Sequence, residues 1–313
     1  MGIVMTLKRT IVTSLAALTL LSAPALAADI ITKAPKKVEA APTSCFDVAF
    51  GGGLQSDYNF RGISQTDRGP GAYAYVEPRC NVTKDIQLYA GFWGWSTKLP
   101  TTPTGEFDIY GGIRVTAGQF QFDLGGMYYW YPRERALFYA DPLLLSVSPT
   151  NFGFGQFTVN DSDMWEVYGK LTWTPIDWLA INPYVYYTPN WLGSGANATY
   201  AGGSVKITMP SKWFPADWGA YVSGEVDHYW IGTFTAFGAP FDLPDYTYWN
   251  LGAGVTYKVF TFDLRYHQTD LSQQNCFLLT SDPSGVATGQ SKWCGASVIG
   301  KVSFDLTAMT NLK

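Results

Sequence analysis

The chain has 313 residues, of which 15% are charged against roughly 25% in an ordinary soluble domain. Mean hydropathy is −0.02, and only the extreme N-terminus approaches the ~20 apolar residues of a spanning helix, which excludes a helical membrane bundle. A net charge of −4 leaves no basic footprint and excludes nucleic acid as a partner.

The N-terminus reads as an address. Lys8 and Arg9 precede the apolar run Ile11 to Leu21, and Ala25-Leu26-Ala27 offers a small-residue cleavage site. Residues 1–27 are therefore expected to be a cleaved signal peptide for export through the inner membrane. Residues 28–44, with Lys33, Pro35, Lys36, Lys37 and Pro42, lack apolar periodicity and are expected to form a flexible periplasmic linker.

From Cys45 the pattern takes a period of two, the mark of strands with unlike faces. Phe46, Val48, Phe50, Leu54, Tyr58 and Phe60 share one face, and Asp47, Gln55, Asp57, Asn59 and Arg61 the other. Phe107, Ile109, Ile113 and Val115 alternate with Glu106, Asp108, Tyr110 and Arg114; Phe120, Phe122, Leu124, Tyr128 and Trp130 alternate with Gln121, Asp123, Met127 and Tyr129. Near the end, Val298, Val302, Phe304 and Leu306 oppose Lys301, Ser303 and Asp305. The alternation predicts about twelve strands, near 46–60, 72–80, 86–95, 106–117, 120–130, 164–174, 178–187, 198–208, 218–230, 246–257, 260–268 and 295–306.

The connections fall into two alternating classes. Those at 81–85, 118–119, 175–177 and 258–259 are short, with 209–217 a longer member, whereas 61–71, 96–105, 131–163, 188–197, 231–245 and 269–294 are long. An all-β, closed antiparallel transmembrane β-barrel over 45–313, with short periplasmic turns and long extracellular loops, has this form. Both termini then lie in the periplasm, which requires an even strand count. A soluble β-sandwich shares the alternation, but the polar face here holds too many charges for a dry core. Bilayer lipid is thus the expected partner of the apolar face, and the bacterial outer membrane the expected location.

The run Ser56-Asp57-Tyr58-Asn59-Phe60-Arg61-Gly62-Ile63-Ser64-Gln65-Thr66-Asp67 resembles the opening signature of the TorF-type porin family, also catalogued as a proteobacterial conserved-hypothetical outer-membrane family. The resemblance implies an outer-membrane barrel with a pore, and it brings no catalytic residues. The chain departs from it in the 131–163 loop, in its four cysteines and in its ending, Thr310-Asn311-Leu312-Lys313, where an aromatic residue is usual. Either Phe304 serves as that aromatic or a short tail follows the last strand.

With the apolar face on lipid, the lumen receives Asp47, Asp57, Arg61, Glu106, Asp108, Arg114, Asp123, Glu166, Lys170, Glu225, Asp227, Asp263, Arg265, Lys301 and Asp305 as pore-lining candidates. Acids outnumber bases, so a porin-like channel for passive diffusion of small polar solutes, weakly cation-preferring, is the expected function. The competing reading is that these charges pair and close the lumen. The barrel would then be a plugged structural or loop-mediated binding protein, an adhesin or an envelope stabiliser. Twelve strands stand between the filled interior of eight and the channel of sixteen, so both readings remain.

Tyr73, Tyr75, Tyr89, Tyr110, Tyr129, Tyr168, Tyr184, Tyr186, Tyr221 and Tyr248 are expected to fill space on the lumenal face. Trp93, Trp95, Trp130, Trp165, Trp173, Trp178, Trp191, Trp218, Trp230 and Trp249 lie near strand ends and are expected in interfacial girdles. Cys276 and Cys294, in the last long loop, are expected to form a disulfide in an oxidising compartment. Cys45 and Cys80 fall at the periplasmic end of one hairpin and form a second candidate pair. Their parities disagree unless a bulge intervenes or Cys45 lies beyond the ladder. An outer-membrane lipid hydrolase built on His228 is the remaining alternative, but spacing supplies no nucleophile, and His267 has lumenal parity. No Cys-x-x-Cys pair, Gly-x-Ser-x-Gly elbow or phosphate loop occurs, so no enzyme activity, cofactor or metal is expected.

Overall fold

The period-two pattern becomes twelve strands in the computed structural model, which describes residues 45–135, 138–140, 154–156, 161–236 and 239–311. The signal peptide and linker expected over 1–44 lie outside the described residues, as does most of the 131–163 loop. The barrel strands are β1 Phe46–Gln55, β2 Gly71–Asn81, β3 Ile86–Trp95, β4 Glu106–Ala117, β5 Phe120–Trp130, β6 Met164–Ile176, β7 Leu179–Thr188, β8 Ala198–Thr208, β9 Trp218–Ile231, β10 Tyr246–Tyr257, β11 Phe260–Thr269 and β12 Ser297–Thr307. Each pairs antiparallel with its sequence neighbours, and β1 closes on β12 from Ala49↔Thr307 to Gln55↔Lys301. Closure leaves no open edge to the sheet.

Turns and loops alternate as the chain goes round. The turn between β4 and β5 has Gly118 at φ +60 with open space about it, and the β10–β11 turn puts Lys258 at φ 54. Thr83 Oγ1 holds the β2–β3 turn by accepting from Asp85 N (3.1 Å) and Ile86 N (3.0 Å). β1 begins and β12 ends at this turn end. A helical turn, Ala308–Asn311, follows β12, and its Met309 N donates to Asp47 Oδ1 (3.0 Å).

The apolar face looks out and the tyrosines look in. Leu264 is 62% and Val298 63% exposed on the outside, while Tyr129, Tyr200, Tyr246 and Tyr248 are buried within. A soluble barrel would reverse this; an outward apolar band with a polar interior fits a barrel surrounded by lipid. Outward tryptophans mark both rims, with Trp130, Trp165, Trp230 and Trp249 at the loop end and Trp173, Trp178 and Trp218 at the turn end.

Three of the tryptophans expected in girdles are inside instead. Trp93 and Trp95 pair across the ladder with Asp108 and Glu106, which fixes them on the same inward face, and Trp191 is buried in the β7–β8 loop. A second correction concerns β1, which stops at Gln55 rather than continuing to residue 60. Tyr58, expected on the outer face, is fully buried. The chain leaves the ladder at Ser56 and turns into the barrel.

Candidate functional site

The segment from Ser56 to Pro70 folds as a plug. Asn59–Phe60 pairs with Ile63–Ser64, and the connecting Arg61 and Gly62 lie at φ 49 and φ 88. Positive φ at both central residues is what a type I′ hairpin turn requires. No side chain fits at Gly62, because a Cβ there would sit 2.2 Å from Thr269 Cγ2 and 2.8 Å from Tyr248 Cδ2. The hairpin tip is therefore pressed against the inner wall formed by β10 and β11.

Asp57 organises the base of the plug. Its Oδ1 accepts from Ser64 Oγ (2.6 Å) and Thr66 Oγ1 (3.1 Å), and Arg68 reaches Oδ2 at 3.3 Å. Arg68 also donates to the carbonyls of Lys292 and Cys294, both at 2.9 Å, and Ser64 N donates to Trp293 O (2.9 Å). The Cys276–Cys294 disulfide closes the loop that makes these contacts, and it joins the helix α1, Gln273–Thr280, to the segment beside the plug. The plug is thus tied to the last long loop as well as to β1.

Arg61, at the tip, is the centre of the closure. Its Nη1 and Nη2 donate to the two carboxylate oxygens of Glu166 on β6 at 2.8 and 2.6 Å, and Nη1 also donates to Tyr229 Oη on β9 (2.9 Å). The guanidinium lies 4.3 Å from the centre of the Tyr200 ring, 4.9 Å from Tyr186 and 5.0 Å from Tyr229. Tyr246 Oη donates to the Arg61 carbonyl (2.9 Å), and Tyr129 Oη supports Glu166 Oε2 (3.0 Å). A bidentate buried pair with stacked rings satisfies a charge that burial alone would penalise heavily. On the opposite wall Tyr58 stacks on Trp95 at 4.1 Å and donates to Glu106, whose second oxygen accepts from Tyr131 Oη (3.0 Å). Burial, with Glu106 and Asp108 close by, holds the Tyr58 and Tyr131 hydroxyls protonated well above their ordinary range.

Two further charge layers lie toward the turn end. In one, Tyr184 Oη reaches Glu225 (2.6 Å) and Asp227, Asn250 bridges Glu225 (2.7 Å) to Arg265 (2.7 Å), and Arg265 grips Asp263 (2.9 Å). In the other, Arg114 holds Glu77 (2.8 Å) and reaches Asp123 (3.4 Å) while lying 3.7 Å over the Tyr89 ring. Lys170 sits 4.1 Å over the Tyr168 ring, Lys301 stands opposite Asp263 in the ladder, and Asp305 accepts from Tyr75 Oη (2.8 Å). Glu77, Asp108, Glu225 and Asn250 are 0% exposed. The middle of the lumen is thus shut off from solvent at these side chains, while Lys170, Lys301 and Asp305 keep partial exposure.

Several expected roles change with these positions. Asp57 and Arg61 belong to the plug rather than to a pore wall, because β1 ends before them. Asp47 stands at the turn-end rim, accepting from Val48 N (2.9 Å) and Met309 N. Asp108 is inward and buried, and neither carboxylate oxygen has a hydrogen-bond partner among the described residues. No disulfide joins Cys45 and Cys80, although their thiols adjoin. Cys45 lies one residue beyond the ladder, where its carbonyl accepts from Asn81 N (2.7 Å), and this placement reconciles the parities and sets its thiol beside that of Cys80. His228 meets Thr247 Oγ1 (3.1 Å) and Trp230 on the outer face, and His267 is buried inside against Tyr248 Oη (2.7 Å). Sequence reasoning missed Tyr58, Tyr200, Tyr229 and Tyr246 as interior residues. The pair Arg61-Gly62 between Phe60 and Ile63 is the turn signal that locates the first of them.

Above the plug, at the loop end, opens a vestibule of about 720 Å³. Phe60, Ile63, Ser64 and Gln65 of the plug form its floor, and Trp191, Tyr229, Leu243, Tyr246, Leu279 and Trp293 are among its walls. Beside it Glu134, Asp161 and Asp163 place carboxylate oxygens within 4.8 Å of one another, a spacing a cation could bridge. Those carboxylates already accept from Thr101, Ser162, Tyr128 and the Tyr131 amide.

The model of a family described as "Bacterial protein of unknown function (Gcw_chp)" matches residues 39–296. No curated protein matches the chain by sequence. Among solved structures, the chain is similar to the COG4313 outer membrane channel from Pseudomonas putida F1, at 9% identity over 87% of this chain and 98% of that one, with a TM-score of 0.41. It is similar to the Pseudomonas putida toluene transporter TodX at 10% identity, over 85% of this chain and 88% of that one (TM-score 0.41). Similarity to the NanC porin runs at 12% identity over 83% of this chain and all of that one (100%; TM-score 0.43).

Proposed function

We propose, for a chain that belongs to the Gcw_chp family of bacterial proteins of unknown function, the role of a gated outer-membrane channel for small solutes. The observation that carries this reading is the nature of the closure. The loop-end half of the lumen is stopped by an inserted hairpin with its own turn, its own internal hydrogen bonds and one buried charge pair to the wall. Such an element can leave as a unit, and the side chains of the two charge layers beneath it then swing aside to complete the path. The TorF-type resemblance of Ser56 to Asp67 points the same way. Export by a cleaved leader over 1–27 places the turn end in the periplasm and the vestibule outside.

In the closed state Arg61, Arg114 and Arg265 are each paired with a carboxylate. The weak cation preference read from the acidic excess therefore belongs to the open state alone. A second reading, favoured by the complete burial of the central carboxylates, is a sealed barrel that acts through its loops.

Planar-bilayer recording separates the two. The mature chain should be silent or open briefly, and a variant with 57–69 replaced by a short Gly-Ser linker should give stable steps whose reversal potential in a KCl gradient leans toward cations. Silence from that variant, with barrel formation shown by heat-dependent gel mobility, rejects the channel in favour of the sealed barrel.

A further inference from the structure

The vestibule differs in chemistry from the lumen below it. Its floor and walls present Phe60, Ile63, Trp191, Leu243, Leu279 and Trp293, and its polar groups are mostly hydroxyls such as Ser64 and Ser162; Asp161 is the one charged residue among its described lining. A cavity of about 720 Å³ falls within the ~300–1,000 Å³ of small-molecule sites, which are largely apolar with a few polar groups that fix orientation. An ion or a sugar seated here would lose hydration against aromatic and aliphatic walls without recovering it, and that loss is costly. An apolar body with one hydroxyl or carbonyl would lose little and gain the walls.

The floor also matters. Phe60 and Ile63 are the paired residues on either side of the Arg61-Gly62 turn. Tyr229 and Tyr246, in the walls, hydrogen-bond to Arg61 through its guanidinium and its carbonyl. A molecule resting in the vestibule therefore touches the plug directly and also the two tyrosines that hold its tip.

From these contacts we infer that the vestibule is a binding site for an uncharged, mainly apolar small molecule with a single hydrogen-bonding group, and that its occupancy bears on the plug. This deepens the channel reading by naming the class of solute, and it rests on that reading for the link to opening. The site itself is tested separately. The full mature chain in lipid nanodiscs is titrated with 4-fluorobenzyl alcohol and followed by ¹⁹F NMR, with empty nanodiscs as the partition baseline and 4-fluorobenzoate as the charged counterpart. The expected result is saturable broadening for the alcohol and none for the benzoate, with affinity about tenfold weaker in Leu279→Asp. The comparison of alcohol with benzoate needs no variant, so it stands if Leu279→Asp fails to fold. Non-saturable partition equal to that of empty nanodiscs, or equal binding of the benzoate, overturns the site. Binding by the native chain together with a silent plug-excised variant would keep the site and reject the channel. Conductance without binding would do the reverse.

Discussion

Arg61→Met tests the closure at its centre, because it keeps much of the side chain's length and removes the guanidinium. In the native chain that group makes two hydrogen bonds to Glu166, at 2.8 and 2.6 Å, and one to Tyr229 at 2.9 Å. After the change Glu166 keeps Tyr129 Oη at 3.0 Å and loses its counter-charge in a site where it is 1% exposed. Stranding one partner of a buried pair costs about 3–5 kcal/mol. Glu166 belongs to the wall and Arg61 to the hairpin, so the cost falls on seating the hairpin, not on the barrel ladder. At ~1.4 kcal/mol per power of ten, the ratio of open to closed plug should rise by roughly two to three and a half powers of ten. Two assays read this directly: open probability in single-channel records at fixed voltage, and the rate of tryptic cleavage at Arg68. Adding Glu166→Gln removes the stranded charge, so the double variant should be less open than Arg61→Met alone. An unchanged open probability in Arg61→Met, or a double variant more open than the single, would refute the assignment of Arg61 as the latch.

Three other outcomes are expected. Gly62→Ala places a Cβ 2.2 Å from Thr269 Cγ2 at a φ of +88, so it should expose Arg68 to trypsin; Thr269→Ser, which removes that methyl, should recover part of the protection. Cys276→Ser with Cys294→Ser frees a loop whose ends are 18 residues apart, worth about 3 kcal/mol of restraint, and should raise open probability to the level that dithiothreitol produces in the native chain. A reductant effect of equal size in the doubly substituted chain would place its cause elsewhere. Leu264→Arg puts a charge on an outward residue near the middle of β11 and should cost about 2–4 kcal/mol in an equilibrium folding titration in lipid bilayers; a null effect would mean that this face does not meet hydrocarbon.

The barrel could be read from the chain because its two faces differ so sharply. Charges on one face and Leu, Val, Ile and Phe on the other leave only one assignment of inside and outside that is compatible with lipid, and the resulting strand limits lie within a few residues of those found. The first strand is the exception. Asn59 and Arg61 prolong the polar alternation past Gln55, so a break visible only in the Arg61-Gly62 turn signal was masked by good parity. Trp93 and Trp95 show the opposite fault. They share the parity of Tyr89 and were plainly inward by pattern, yet their place near a strand end suggested a girdle. The inward faces of Glu166 and Arg265 were readable, but their partners were not. A pairing such as Arg61 with Glu166, 105 residues apart, depends on the barrel's circumference and on how deeply the hairpin inserts. Cys45 lies just beyond the ladder, which answers the parity objection, and its thiol adjoins that of Cys80 without a bond between them.

The plug follows the first strand, yet its contacts reach to the far end of the chain. Arg61 meets Tyr229 and Tyr246 at separations of 168 and 185 residues, and Arg68 meets Cys294 at 226. Contacts so distant in sequence form late, after the intervening chain has been ordered. The hairpin can find these partners only once β6 to β11 are in place. Seating of Arg61 therefore reports that assembly is complete.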